Sequence, residues 1–322
     1  MHKTDIVALG ELLVDFAPMA KQSTEFGDWP SLQALPGGAP SNLVATAAKF
    51  GLSTSLIGAV GNDYFGKLLS KTLSQAGVNT EHISVIDEVF TTLAFVILDE
   101  QGDRDFDFSR KPGADTRLHL SVKQEHLIKE TRCFHFGTLS LTDEPAKTST
   151  NRAVAVAQEA GVWINFDPNY RAPLWRDKES ARKAILWGFS QSDSIKVCKD
   201  ELLFAFNSND VISCQQKLIQ NFNVKLVLIT DGANGSYYWS NQANGHVSAH
   251  LLDNTVDTTG AGDIFTGSVL SQILIREKSI SQAVATWSDE MWREVISLSN
   301  KFAAISTTRF GGISSIPEPS RL

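Results

Sequence analysis

The chain has 322 residues, of which 42% are hydrophobic and 20% charged, ordinary values that exclude disordered and collagen-like classes and suit one large α/β core. Its 29 Lys and Arg against 36 Asp and Glu give a net charge of -7, and no basic cluster exists to neutralise a nucleic-acid backbone. Met1-His2-Lys3-Thr4-Asp5 runs straight into a strand-like stretch and no run reaches about 18 apolar residues, so neither secretion nor membrane insertion is expected and a cytoplasmic setting is.

Residues 6–10 form a short apolar run of the kind that a strand covered on both faces requires. The next stretch, 12–16, breaks that pattern and is assigned to a different sheet. A helical pattern over 41–50, a strand at 55–60 and a second helix over 66–76 follow. Over 91–109 the pattern changes, because Asp105-Phe106-Asp107-Phe108 alternates polar and apolar as a sheet with one wet face does. Strands at 132–136, 162–167, 194–197 and 225–230 then alternate with helices over 145–160 and 180–189. This rhythm predicts an α/β fold, a three-layer αβα sandwich with a mostly parallel sheet forming a single domain over 1–322. The two exceptions predict a small β-sheet lid, inserted at about 12–34 and 90–116. No internal repeat or linker interrupts the chain.

Cys133, Cys198 and Cys214 are odd in number and show no Cys-x-x-Cys spacing, so they read as reduced thiols and not as zinc ligands. His135 lies inside the apolar run Cys133-Phe134-His135-Phe136 and reads as a packed side chain.

Chemistry concentrates in Asp257-Thr258-Thr259-Gly260-Ala261-Gly262-Asp263, which leads into an apolar helix over 264–275. Small residues at a helix start let backbone amides converge on an anion, aided by the positive end of the helix dipole. Asp263 in the first turn is placed to take a proton from an attacking hydroxyl, or else to cap the helix and offset its dipole. Gly61-Asn62-Asp63-Tyr64-Phe65-Gly66-Lys67-Leu68 nearly matches a phosphate-binding P-loop, but Leu68 stands where Ser or Thr must hold magnesium. No Gly-x-Gly-x-x-Gly follows a strand, so a dehydrogenase is not supported.

The 257–263 segment closely resembles the C-terminal signature of the pfkB (ribokinase-like) carbohydrate kinases, with Ser268 where that signature usually has Gly or Ala. The resemblance implies that Asp263 is the catalytic base and that Gly260, Ala261 and Gly262 form the anion hole. Gly37-Gly38-Ala39-Pro40-Ser41-Asn42, followed by Gly51 and Gly61, resembles the N-terminal signature, so Gly37, Gly38 and Asn42 are expected at the sugar; Val44 replaces a usual small residue. Gly10-Glu11-Leu12-Leu13-Val14-Asp15-Phe16 is similar to the first strand of the fructokinase subfamily, which makes Asp15 a sugar-hydroxyl acceptor. Phe108-Ser109-Arg110-Lys111-Pro112-Gly113-Ala114-Asp115 resembles its lid-end segment, where the arginine reaches substrate; a solvated charge run is the alternative for Arg104, Arg110 and Lys111.

Phe166-Asp167-Pro168-Asn169-Tyr170-Arg171 is similar to a segment that fructokinases share with 2-keto-3-deoxygluconate kinases, implying that Asn169 and Arg171 face phosphate and acceptor. Cys198-Lys199-Asp200-Glu201 occupies the place of an Asn-x-x-Glu motif, so Glu201 is expected to orient hydrated magnesium while Cys198 departs from the pattern. Thr230-Asp231-Gly232-Ala233-Asn234-Gly235 resembles the nucleotide loop, giving Thr230, Gly232 and Gly235 to ATP, or forms a hairpin turn, or both. Asn300 is placed on the adenine-side helix; Asp257, Thr259 and Gly311 are placed at a monovalent-cation loop that would take potassium.

The resemblance runs in order from residue 6 to about residue 316. It implies an ATP- and magnesium-dependent kinase that moves the γ-phosphate to the 6-hydroxyl of fructose. The alternatives are 2-keto-3-deoxygluconate, for whose carboxylate Arg171 or Arg104 is available, or ribose. A non-catalytic sugar or nucleotide sensor is the rival from another class; retention of Asp263 among its glycines argues against it. The partners expected are sugar and ATP, with no nucleic acid and no membrane, and a homodimer through the lid.

Overall fold

In strand β1 (Thr4–Leu9), Ile6 and Ala8 pack with one set of helices and Val7 and Leu9 with another, and all four side chains are fully buried. That is the physical reason for an unalternating apolar strand: both of its faces are core. The computed structural model of the protein describes residues 4–98 and 104–321.

After β1 come β2 (Leu13–Thr24), β3 (Gly27–Gly37), β4 (Thr54–Gly61), β5 (Ile83–Ile86), β6 (Leu93–Leu98) and β7 (Arg104–Ser109). They are followed by β8 (Thr131–Gly137), β9 (Trp163–Asp167), β10 (Ser194–Cys198), β11 (Leu226–Thr230), β12 (Ser236–Ser240) and β13 (Asn244–Val247). The helices are α1 (Ala39–Lys49), α2 (Tyr64–Gln75), α3 (Val122–Lys129), α4 (Ala146–Glu159), α5 (Lys178–Gln191), α6 (Lys199–Phe206), α7 (Val211–Asn221), α8 (Ala261–Arg276), α9 (Ile280–Thr286) and α10 (Asp289–Ser306).

Among the described residues, nine strands join in the order β13-β12-β11-β10-β9-β8-β1-β4-β5. All neighbours from β11 to β5 are parallel, while β12 and β13 are antiparallel additions at one edge. Helices α1, α2, α8, α9 and α10 bury their apolar sides on one face and α3 to α7 on the other. The result is the three-layer αβα sandwich that the alternation predicts. Each fully buried Leu, Ile or Phe in these layers contributes about 1.5–3 kcal/mol relative to exposure.

The remaining strands make a second sheet in the order β3-β2-β6-β7. On one side of it stand Leu13, Asp15, Phe106 and Phe108, which line a cleft against the carboxyl ends of the main-sheet strands. On the other side Phe16 stacks on Phe95, with ring centroids 5.2 Å apart, and meets the edge of Phe65 from α2. The side chain of Arg104 lies outside the described residues.

Candidate active site

The cleft encloses about 730 Å³ between the second sheet and the ends of β9, β10 and β11, and the start of α8 forms its floor. Gly260 is the N-cap of α8 and adopts φ +77, a left-handed conformation that a glycine takes without strain. Ala261 N–H donates to Thr258 O at 3.2 Å, which closes the turn and leaves the following residues to open the helix toward the cleft. Gly260, Ala261, Gly262 and Asp263 all line that floor.

Asp263 is only 8% exposed. Its Oδ2 accepts a hydrogen bond from Asn42 Nδ2 at 2.8 Å. Burial, reinforced by the nearby charge of Asp167, pushes the Asp263 carboxyl up to about 7, against the pull of Lys196, Asn42 and Arg171. A carboxylate poised there can act as a base near neutral pH.

Lys196 projects from the middle of β10 into the same floor, 3.0 Å from Asp167 Oδ2. A Cβ on Gly262 would come within 2.6 Å of its Nζ, so the ammonium rests against the first turn of α8. Burial alone would lower its pKa, but Asp167 and Glu201 outweigh burial and hold it raised, so Lys196 stays charged.

Along the second sheet, Asp15 is buried on β2 and its carboxyl is pushed up to about 7 by burial, with Arg171 opposing. Its Oδ2 crosses so close to the paired strand that a Cβ on Gly37 would lie 1.9 Å away, which requires glycine at that point. Gly37 itself does not line the cleft, whereas Gly38, Asn42, Asn169 and Arg171 do. Asn169 holds φ +44, and the Arg171 guanidinium lies 4.9 Å over the ring of Phe106 from the second sheet.

Arg110 is not brought to the cleft. Its Nη2 pairs with Asp115 at 2.7 Å, its Nη1 reaches Thr142 and Asp143, and Nη2 also donates to Leu139 O. The guanidinium is buried and bonded on every side, a structural tie between the end of β7 and the loop after β8.

At the end of the cleft beyond β11, Thr230, Gly232, Gly235 and Asn300 line it. The 230–235 segment is also a hairpin turn, since Asp231 N–H donates to Gly235 O and β11 and β12 pair antiparallel. Asn300 donates to the carbonyls of Val247 and Ser248 and accepts from Ser236 Oγ, so it ties α10 to the edge hairpin. Glu201 lines the cleft with Oε1 accepting Tyr170 N–H at 2.7 Å and Oε2 accepting Cys198 N–H at 3.0 Å. Asp257 accepts Thr259 N–H and Gly311 N–H and thereby joins two loops; Thr259 lines the cleft, and Asp257 and Gly311 stand behind it.

The P-loop look-alike stands apart from the cleft. Asp63 caps α2 by accepting Gly66 N–H and also accepts Thr91 N–H, while Lys67 is exposed. His135 is the packed side chain expected: its Nδ1 meets Asn165 Nδ2 at 2.8 Å, and burial with nearby Lys196 holds its pKa down at about 3.

A family model described as pfkB family carbohydrate kinase matches residues 3–319. The chain belongs to the pfkB family of carbohydrate kinases. It is 36% identical over 321 residues to "Probable fructokinase-4" of Arabidopsis thaliana, covering 100% of this chain and 96% of that protein. A crystal structure of fructokinase with bound ATP from Xylella fastidiosa superposes with a TM-score of 0.85 at 28% identity, covering 97% and 95% of the two chains. Another, from Vibrio cholerae O395 with fructose, ADP and calcium ion bound, gives 0.82 at 27% identity, covering 99% and 97%.

A pfkB kinase must hold a metal–nucleotide complex. Among the described residues no group of three or more His, Cys, Asp or Glu side chains could cage an ion. Magnesium keeps several waters and takes phosphate oxygens, so a single carboxylate such as Glu201 beside the nucleotide loop fits it. Sequence reasoning missed Lys196, Asp167 and Phe106. For Lys196 a signal was present, a lone lysine flanked by Ile195 and Val197 in an apolar strand, because lysine is almost never fully buried without a partner.

Proposed function

We propose that the protein is an ATP-dependent fructokinase that transfers the γ-phosphoryl group to the 6-hydroxyl of fructose, with Asp263 as the base. The observation that carries this reading is the buried Asp263 at the start of α8, in one cleft with Asp15 on the sugar side and the 230–235 loop on the nucleotide side. Relatives named fructokinase, one of them solved with fructose and ADP, support the choice of acceptor.

In this mechanism Asp15, Gly38, Asn42 and Asn169 hold the sugar, and Asp263 accepts the hydroxyl proton as the sugar oxygen bonds to the γ-phosphorus and the bond to ADP breaks. The first-turn amides of α8 and the Lys196 ammonium face the charge carried by the transferred group, where fixed donors in a buried site act most strongly. Arg171, braced by Phe106, adds a second cation at the mouth. Bound magnesium, its waters oriented by Glu201, would neutralise the phosphate oxygens of ATP. Potassium would sit at the loops joined by Asp257, Thr259 and Gly311, held by backbone carbonyls.

We also infer a cytoplasmic enzyme, in keeping with its three free thiols. No described helix is long and apolar enough to cross a membrane. A homodimer paired through the outward face of the second sheet is supported by Leu32 at 40% and Ile97 at 48% exposure there. Sedimentation equilibrium should give twice the chain mass, and a monomer at micromolar concentration contradicts the pairing.

An ADP-release assay across fructose, mannose, ribose, tagatose and 2-keto-3-deoxygluconate tests the acceptor. Fructose should give the highest kcat/KM. A preference of about tenfold or more for the keto acid, about 1.4 kcal/mol of differential transition-state binding, overturns it.

A further inference from the structure

We infer that Asn42 is a positioning residue for Asp263, holding one carboxylate oxygen so that the other is presented to the incoming hydroxyl. This rests on the reading of Asp263 as the base and adds to the sugar contact expected of Asn42.

Three observations converge on it. Asn42 Nδ2 donates to Asp263 Oδ2 at 2.8 Å, a contact between two side chains far apart in sequence and both at least nine-tenths buried. The carboxamide is wedged between two loops: a Cβ on Gly312 would fall 2.2 Å from Asn42 Oδ1, and one on Gly260 would fall 3.1 Å from Asn42 Nδ2. Finally, α1 is pressed onto α8 where Gly267 allows it, since a Cβ there would lie 2.8 Å from Thr46 Cβ and 2.9 Å from Leu43 O. Donor and acceptor are thus carried on two helices in close contact, and Asn42 N–H is itself fixed to Gly38 O.

The chemistry follows from the donor. An amide N–H bonded to a carboxylate favours its ionised form, the form in which a base accepts a proton. The other charged groups facing Asp263 are Asp167 at the end of β9, Lys196 on β10 and Arg171 in the loop after β9. Of these Asp167 opposes ionisation and the two cations favour it; Asn42 is the neutral side chain that bonds the carboxylate directly. Its remaining acceptor, Oδ1, is buried against Gly312 with no protein hydrogen-bond partner, so the bond to Asp263 is what fixes the carboxamide's polar end.

The test is the pH profile of kcat/KM for fructose in Asn42→Leu, which keeps the branched shape and removes the donor, and in Asn42→Ala, which relieves any crowding against Gly312. Removal of a bond that favours the ionised base should move the acid limb upward by about one pH unit in both variants. Much of the lost rate should return at pH 8.5. A residue that only binds sugar would raise KM at every pH and leave the limb in place. An unmoved or lowered limb in both variants overturns the proposal. Asp263→Asn, assayed alongside, separates the two claims: if it keeps its turnover, the base reading has failed and takes the proposal with it.

Discussion

Lys196 Nζ and Asp167 Oδ2 stand 3.0 Å apart on neighbouring strands, both buried beneath the first turn of α8. The other oxygen of that carboxylate, Asp167 Oδ1, is buried without a hydrogen-bond partner. A buried ion pair is weak evidence for stability, because desolvation offsets much of the attraction. Its position against Gly262 argues for a role at the transferred phosphoryl group instead.

Lys196→Met should therefore lower kcat by about 10²- to 10³-fold. Part of any loss of stability would come from the uncompensated Asp167, so Lys196→Met/Asp167→Asn is the informative partner. The double variant should recover thermal stability and stay inactive. Recovery of kcat with recovery of the fold would make the pair structural.

The raised carboxyl of Asp263 fixes the direction of a pH effect. Below about pH 7 the group holds a proton in the unliganded site and cannot accept another, so kcat/KM should fall on the acid side of neutrality. Stability runs the opposite way. In the unfolded chain the carboxyls of Glu11, Asp15 and Asp263 lose their protons near their ordinary values of 4.5, 3.8 and 3.8, whereas in the fold they hold them until about 7. His135, held unprotonated down to about 3 in the fold, works in the opposite sense over the same window but is one group against three, so the folded state still binds more protons and the ligand-free protein should lose stability as pH rises from about 4 to 7. Thermal midpoints that rise over the same range contradict these shifts.

The layers of the fold were legible because strands such as β1 and β11 are apolar at both parities, which few other structures require. The small antiparallel and edge elements were less so. β5 is half-buried over four residues, and its pairing with β4 follows from the chain path rather than from its own pattern. The phosphate-site pattern of Asp263 and its glycines could be read because they are contiguous, but spacing left the aspartate as base or helix cap and only the family resemblance favoured the base. Lys196 could not be given a role, because its partner Asp167 arrives only through the pairing of β9 with β10. Arg110 reads as a substrate contact, or else as a solvated charge beside Lys111, yet Thr142 and Asp143 come from the loop after β8 to enclose it.

Arg110→Met should act on stability and not on sugar affinity. Removing one partner of a buried pair leaves Asp115 uncompensated and costs about 3–5 kcal/mol. KM for fructose, measured below the lowered thermal midpoint, should stay within about threefold of wild type, because the guanidinium does not line the cleft. A large rise in KM at an unchanged midpoint would restore the arginine as a substrate contact.

Lys67→Ala should leave ATP affinity within about threefold of wild type, because the segment from Gly61 to Leu68 is a capped turn away from the cleft. Collapse of nucleotide binding in a folded variant would make that turn a phosphate site.

The most direct test of the account is Asp263→Asn, measured for kcat and for thermal midpoint on the same preparations. Asn keeps the size and can still accept a hydrogen bond at the helix start, but it cannot take the proton. A lost general base costs about 10² to 10⁴ in rate, about 3–5 kcal/mol of barrier, whereas a lost dipole partner costs about 0.3–1 kcal/mol of stability. Burial of the native carboxylate also disfavours its charge, so the variant's midpoint at pH 8 should equal or exceed that of wild type. Turnover should fall at least a hundredfold with the fold and ATP binding intact. A variant that keeps more than about a tenth of wild-type kcat contradicts it and leaves Asp263 a structural cap.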